Sequence, residues 1–124
     1  MRPLLDLSTI EAAAKRVGQA AVPTPLEHNK RLSDLYDATI LVKREDLQPV
    51  RSFKIRGAYN KISLLDKAAR EKGVVCSSAG NHAQGVAYAC SHHNISGTIF
   101  MPSTTTQQKV SQVAMFGGDK VTIK

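Results

Sequence analysis

From residue 39 onward, the chain alternates between short β-branched runs and longer segments in which apolar residues recur three and four positions apart. The first spacing is typical of strands and the second of helices. Strands that alternate with helices of this length favour right-handed βαβ crossovers and a parallel sheet. We therefore predict an α/β fold with strands at 39–43, 74–77, 97–101 and 120–124. The last run, KVTIK, indicates either an edge strand or a chain that has been cut.

The helical spacing predicts three main helices after residue 50. The first begins at about Lys54 and ends at Gly73, and the next two follow the turns after the strands. Their predicted inward faces carry Ile55, Ala58, Tyr59, Ile62 and Leu65 in the first, Ala83, Val86, Ala87 and Cys90 in the second, and Val110, Val113 and Ala114 in the third. Nearer the N-terminus, Ser8 and Glu11 have the spacing of a capping box. A short helical stretch is also expected at 29–36.

Composition argues against several classes of protein. No apolar run approaches the roughly 18 to 20 residues of a membrane span, and no signal-peptide core is visible, so we expect a cytoplasmic protein without membrane association. The net charge is +7, but acids are interleaved with the bases and aromatic residues make up only 5%, so nucleic-acid binding is not predicted. Cys76 and Cys90 match no metal or redox spacing and are expected to be buried free thiols. The histidines do not have metal-ligand spacing either.

Two loops that follow strands carry the candidate chemistry, because ligands of parallel sheets collect beyond the carboxyl ends of the strands. In the segment 48–57, Lys54 stands between two apolar residues at a helix start, and a lysine drawn into a pocket becomes a usable amine. The segment 77–85, SSAGNHAQG, offers backbone amides to an anion, although such turns are also common helix caps. An amine beside a carboxylate-binding loop suits amino-acid chemistry with an aldehyde cofactor, one of several readings that spacing leaves open.

Four segments resemble the threonine deaminases (threonine ammonia-lyases) in order and spacing: TPLEHNKRLSD at 24–34, the segment 40–62, GVVCSSAGNHAQGVAYA at 73–89, and IFMPSTTTQQKVSQV at 99–113. The resemblance implies the tryptophan-synthase-β-like fold, fold type II of the pyridoxal 5'-phosphate enzymes. It places residues 1–38 in the large domain and residues 39–124 in most of the small, substrate-side domain. We expect an N-terminal fragment, without the rest of the catalytic domain or a regulatory domain, that is inactive alone.

The resemblance also implies roles for individual residues. Lys54 is similar to the lysine that carries pyridoxal phosphate covalently, Phe53 to the residue against its pyridine ring, and Asn81 to the asparagine that hydrogen-bonds its phenolic oxygen. The loop that captures the substrate carboxylate corresponds to Ser78, Ala79, Gly80, Asn81 and Gln84. Similar serine racemases carry a serine where this chain has Ala79, and that serine can act as an acid on the opposite face of the substrate. Without an acid on that face, elimination is favoured over racemisation.

The function that the resemblance implies is the dehydration and deamination of L-threonine to 2-oxobutanoate and ammonia, the first step of isoleucine biosynthesis. The sequence of residues 101–113 is most similar to the biosynthetic forms of threonine deaminase. Serine dehydratase, acting on L-serine, and degradative threonine deaminase remain alternatives, as does a non-enzymatic basic domain for anion binding or assembly. The complete enzyme is expected to be a homo-oligomer that binds no metal.

Overall fold

The computed structural model describes residues 6–124. It contains six α-helices, five strands, and 3-10 turns at Glu45–Leu47 and Gly118–Lys120. The helices are α1 (Leu7–Val17), α2 (Lys30–Tyr36), α3 (Lys54–Ser63), α4 (Lys67–Lys72), α5 (Asn81–His93) and α6 (Gln107–Gly117). The strands are β1 (Leu26–His28), β2 (Leu41–Lys43), β3 (Val74–Ser77), β4 (Gly97–Phe100) and β5 (Val121–Ile123).

The predicted parallel sheet is confirmed for three of its four strands, but the first predicted strand, β2, lies outside this sheet. Strands β3, β4 and β5 pair in that order, and Val74, Gly97 and Val121 stand side by side in the register. In the described part of the chain, β5 lies at an edge, as one reading of the sequence predicted. A separate antiparallel ribbon joins β1 to β2 and so links the two sides of the predicted domain division at residue 38; residues 1–5 of the first predicted domain lie outside the described residues.

The core lies between one face of the parallel sheet and helices α3, α5 and α6. Helix α5 packs against α3 on one side and α6 on the other. Ile99, Tyr59 and Val113 are almost completely buried there, together with the alanines of α5. On the opposite face of the sheet, Val75 is 71% exposed and Phe100 is 44% exposed, so the helices cover one side of this sheet only.

The two cysteines are both free, but only one matches the predicted burial. Cys90 is completely buried in the core, whereas Cys76 is half-buried. Burial raises the pKa of the Cys90 thiol to about 11, because a thiolate there would lose its hydration. Separately, none of the helices described between residues 6 and 124 has the length and apolar character that crossing a bilayer requires.

The predicted capping box at the N-terminus is wrong. Asp6, rather than Ser8, caps α1, and its carboxylate accepts hydrogen bonds from the Thr9 amide at 2.7 Å and the Ser8 hydroxyl at 2.8 Å. A carboxylate two residues earlier is the stronger acceptor, so the serine hydroxyl becomes a donor to it.

The prediction of a single helix from Lys54 to Gly73 is also wrong, because this segment forms two helices, α3 and α4. Asp66 starts α4 by accepting a hydrogen bond from the Ala69 amide at 2.8 Å, and the Arg70 guanidinium binds the Leu65 carbonyl at 2.8 Å. These polar contacts stabilise the break. Gly73 ends α4 with a φ of 79°, a conformation that favours glycine.

Two smaller predictions also differ from the structure. Ala114 of α6 is exposed, while Val113 beside it is buried, because the buried face of α6 is narrower than the apolar spacing indicated. The first predicted strand is shorter than expected and begins at Leu41.

A nearly buried carboxylate, Glu45, joins the segment before β1 and the 3-10 turn after β2 to the first turn of α3. Its oxygens accept hydrogen bonds from the Thr24 hydroxyl at 2.7 Å and from two Arg56 nitrogens at 2.8 Å. The buried Gln48 amide binds both the N–H and the carbonyl of Val22, at 3.0 and 2.9 Å. Donation from Arg56, with smaller contributions from Thr24 and Gln48, lowers the pKa of Glu45 from 4.5 to about 2.

We expect Glu45→Gln to lower the free energy of unfolding at pH 7 by about 2 kcal/mol, because charge-assisted bonds to a nearly buried carboxylate are lost. The folded-state pKa of Glu45 is depressed, so its contribution is complete above pH 4.5 and disappears as the pH falls through about 2. Urea unfolding between pH 7 and pH 3 measures the difference in the free energy of unfolding between wild type and Glu45→Gln. This difference should become smaller as the pH falls.

Asp46→Asn is the matched control. Asp46 pairs with Arg44 at 2.8 Å, but its side chain is 58% exposed, and an exposed ion pair contributes little. Equal destabilisation by the two variants, or a Glu45→Gln effect that does not change with pH, would contradict the assigned role of the Glu45 cluster.

Candidate functional site

A cavity of 540 Å³ lies among the start of α3, the start of α5 and strand β3. Its volume falls within the range of about 300 to 1,000 Å³ that is typical of small-molecule sites. The cavity is lined by Lys54 of α3 and by Phe53, which precedes that helix. His82 and Val86 line it from α5, and residues 74–76 line it from β3. The two loops that the sequence singled out therefore lead into helices that bound one cavity.

Lys54 begins α3, as predicted, but the expected burial of its side chain is wrong. Lys54 and Phe53 are both exposed, whereas Ile55 is completely buried. The helix turns one face inward, and Lys54 lies outside that face. The Lys54 Nζ atom stands 5.1 Å from the centroid of the Phe53 ring, so the amine lies beside an aromatic face.

The turn that precedes α5 uses two of its main-chain donors within the protein. The Ser78 amide donates to the Phe100 carbonyl at 3.1 Å, and the Gly80 amide donates to the Ser78 hydroxyl at 3.3 Å. Within the described residues, no side chain caps α5, unlike α1, α2 and α4, which Asp6, Asn29 and Asp66 cap. The first amides of α5 can therefore bind an anion, which the helix dipole also favours.

The other predicted loop residues have different surroundings. Ser78, Ala79 and Gly80 are half-buried, and Asn81 is exposed at the first position of α5. Gln84 is buried one turn later, and its side-chain Nε2 donates to Gln112 Oε1 at 2.8 Å. This contact uses one of the two amide hydrogens of Gln84 and anchors it to α6.

The cavity also holds polar groups that the sequence analysis did not identify. Lys61 and Arg56 line it beside Lys54, and Arg56 is paired with Glu45. Lys61 lies two turns after Lys54, a spacing that could have indicated a shared face. Ser52 is buried, and its hydroxyl has no hydrogen-bond partner within the described residues.

These residues fit pyridoxal phosphate. The Lys54 amine can react with an aldehyde, the Phe53 ring offers an apolar face, and the cavity lining contains basic side chains and, among the described residues, no carboxylate. Between residues 6 and 124, no three His, Cys, Asp or Glu side chains cluster as a metal site would require.

Curated relatives show high sequence similarity. The chain is 56% identical over 114 residues to "L-threonine dehydratase biosynthetic IlvA" of Bacillus subtilis (strain 168), an alignment covering 92% of this chain and 27% of that protein. It is 52% identical over 121 residues to the protein of the same name from Lactococcus lactis subsp. lactis (strain IL1403), covering 98% of this chain and 29% of the relative. The chain thus spans little more than a quarter of these relatives.

Solved structures share the fold. Threonine deaminase isoform 2 from Solanum lycopersicum, in its processed form, superposes with a TM-score of 0.77 at 42% identity, covering 97% of this chain and 34% of that one. Maize serine racemase superposes with a TM-score of 0.84 at 33% identity, covering 95% and 36%. The predicted α/β fold of type II is confirmed.

The family profile described as "Pyridoxal-phosphate dependent enzyme" matches residues 17–123. This range contains the parallel sheet, the Lys54 cavity and the uncapped start of α5. The chain belongs to the family of pyridoxal-phosphate dependent enzymes.

Proposed function

We propose that this chain supplies the substrate side of a lyase that converts L-threonine to 2-oxobutanoate and ammonia. The observation that carries the proposal is that Lys54 lines a cavity together with His82 and Val86 of α5, a helix whose first amides have no side-chain cap. The names of the curated relatives support threonine as the substrate and a biosynthetic role, and the resemblance to threonine deaminases suggests isoleucine biosynthesis as the pathway. Residues 39–124 would form most of the small domain.

Three residues would hold the cofactor. Lys54 binds it through the amine, Phe53 lies against its ring, and Asn81 donates to its phenolic oxygen. When bound, pyridoxal phosphate supplies an aldehyde for amines and a ring that accepts electrons from the substrate α-carbon.

The loop before α5 would hold the substrate carboxylate. Ala79 and Asn81 would supply main-chain amides, Ser78 would offer its hydroxyl hydrogen, and Gly80 would let the backbone approach the carboxylate, since the Ser78 and Gly80 amides are bonded within the protein. Gln84 would offer the amide hydrogen that Gln112 does not use. Bound in this way, the substrate directs its α-carbon towards the Lys54 amine, which takes the α-proton as a general base. The β-hydroxyl then leaves as water, and hydrolysis of the resulting enamine gives 2-oxobutanoate and ammonia.

Ala79 would decide the fate of the substrate after its proton has been taken. Its methyl group carries no acid, so the face opposite Lys54 cannot readily return a proton to the α-carbon. Elimination is then favoured over racemisation. L-serine, which shares the β-hydroxyl, is the second candidate substrate, and the fold likeness to maize serine racemase favours considering it.

We expect pyridoxal phosphate followed by borohydride to label Lys54 in preference to the other lysines of the chain. Lys54→Ala should remove this label without loss of folding, because the side chain is exposed and lies outside the core. Peptide mass mapping locates the label, and circular dichroism checks the fold. In the full-length enzyme the same variant should lower turnover by a factor of at least about 100.

Lys30→Ala is the control for this labelling, because Lys30 is an exposed lysine on α2 that pairs with Asp34 at 2.8 Å. It should leave the modification of Lys54 unchanged. Labelling spread evenly over surface lysines, or a Lys54→Ala enzyme that retains turnover, would contradict the assignment of Lys54.

We expect Ala79→Ser in the full-length enzyme to raise the formation of D-serine from L-serine by about tenfold or more, because the new hydroxyl supplies an acid on the second face. Chiral chromatography measures the product. Ala79→Gly changes the size of the side chain without adding an acid and should not produce D-serine. If Ala79→Ser yields no D-serine either, the role given to residue 79 is wrong.

A further inference from the structure

Gly85 stands in the second turn of α5, where a glycine is costly. Helix interiors disfavour glycine relative to alanine, and three other buried positions of this helix are occupied by alanine, at Ala83, Ala87 and Ala89. Gly85 is itself buried and has no positive φ. Backbone conformation therefore does not explain its presence.

The explanation lies in what faces Gly85. A methyl group placed on it would lie 3.0 Å from the carbonyl oxygen of Lys54, 3.1 Å from the carbonyl carbon and 3.3 Å from the Ile55 amide nitrogen. These are main-chain atoms, which cannot rotate away as the tip of a long side chain can. The α5 backbone therefore approaches the first peptide of α3 more closely than any larger residue would allow.

This contact also sets the position of the substrate loop. Asn81 is four residues before Gly85, so the two lie one turn apart on the same face of α5. Ile55, the residue after Lys54, is completely buried, so α3 cannot easily shift in response. The distance between the Lys54 backbone and the Asn81 end of α5 thus depends on the absence of a side chain at residue 85.

We propose that Gly85 is a positioning residue that sets the separation between the Lys54 amine and the loop that begins α5. The proposal rests on the proposed function for the identity of the groups it positions, but the contact itself can be tested without cofactor. A methyl group at residue 85 would force the two backbones apart by a few tenths of an ångström. Small misplacements of reacting groups have large effects on rate, and a shift of 1 Å can cost roughly a hundredfold.

The first test uses amide NMR to compare Gly85→Ala with Ser91→Ala in the chain without cofactor. Both variants add helix propensity to α5, but Ser91 is exposed and lies outside the Lys54 cavity. Gly85→Ala should shift the amide resonances of Lys54, Ile55 and Asn81, whereas Ser91→Ala should leave them unchanged. Unshifted resonances in Gly85→Ala would overturn the contact and with it the proposal.

The second test measures labelling of Lys54 by pyridoxal phosphate and borohydride in the same variants. Gly85→Ala should slow this labelling by about tenfold while the labelling of Lys30 stays constant, and Ser91→Ala should behave as wild type. A general loss of folding would change all lysines together and lower the thermal midpoint, so selective slowing separates positioning from instability. Wild-type labelling rates in Gly85→Ala would overturn the positioning role.

The two tests fail independently. If wild-type Lys54 is not labelled selectively but the amide shifts appear, the contact holds and the cofactor assignment of Lys54 is wrong, which removes the positioning role as well. If Lys54 is labelled selectively in wild type and in Gly85→Ala alike, the proposed function stands and only the role of Gly85 fails.

Discussion

The close packing of α3 against α5 is the contact on which the arrangement of this molecule depends. Helix α5 also packs against α6 and the parallel sheet, so it occupies the centre of the core. Small side chains along α5 allow its neighbours to approach, and at Gly85 the approach reaches main-chain atoms. Lys54 at the start of α3 and His82 in the first turn of α5 therefore line one cavity.

A second set of interactions holds the start of α3 from outside the core. Glu45 binds Arg56, which lies two residues after Lys54, and Gln48 binds the main chain of Val22. Buried hydrogen-bonded networks of this kind fix segments that hydrophobic contacts alone would leave free to slide. The loop 44–53 is therefore fixed at both ends, and Lys54 extends from a rigid start of a helix.

Much of the architecture follows from the spacing of residues. The β-branched runs predicted the three parallel strands, and the turn SSAGN predicted a helix start beyond one of them. The spacing could not predict features that depend on competition between nearby polar groups. Asp6 caps α1 in place of Ser8, and Asp66 caps α4 at the break between α3 and α4. The exposure of Lys54 and the closeness of Gly85 to it depend on how two helices pack, which is not encoded in either segment alone. The resemblance to threonine deaminases implied roles for Lys54 and the loop, but the contribution of His82 to the cavity required the structure.

The contact at Gly85 involves the backbone of Lys54 and not its side chain. This main-chain contact between α3 and α5, the frame of the site, therefore does not depend on which side chain residue 54 carries. Evolution can alter the groups that project from this frame, including the residue at position 79, without rebuilding it. A scaffold whose geometry is fixed by main-chain contacts is well suited to the divergence of one ancestral enzyme into several with different reactions.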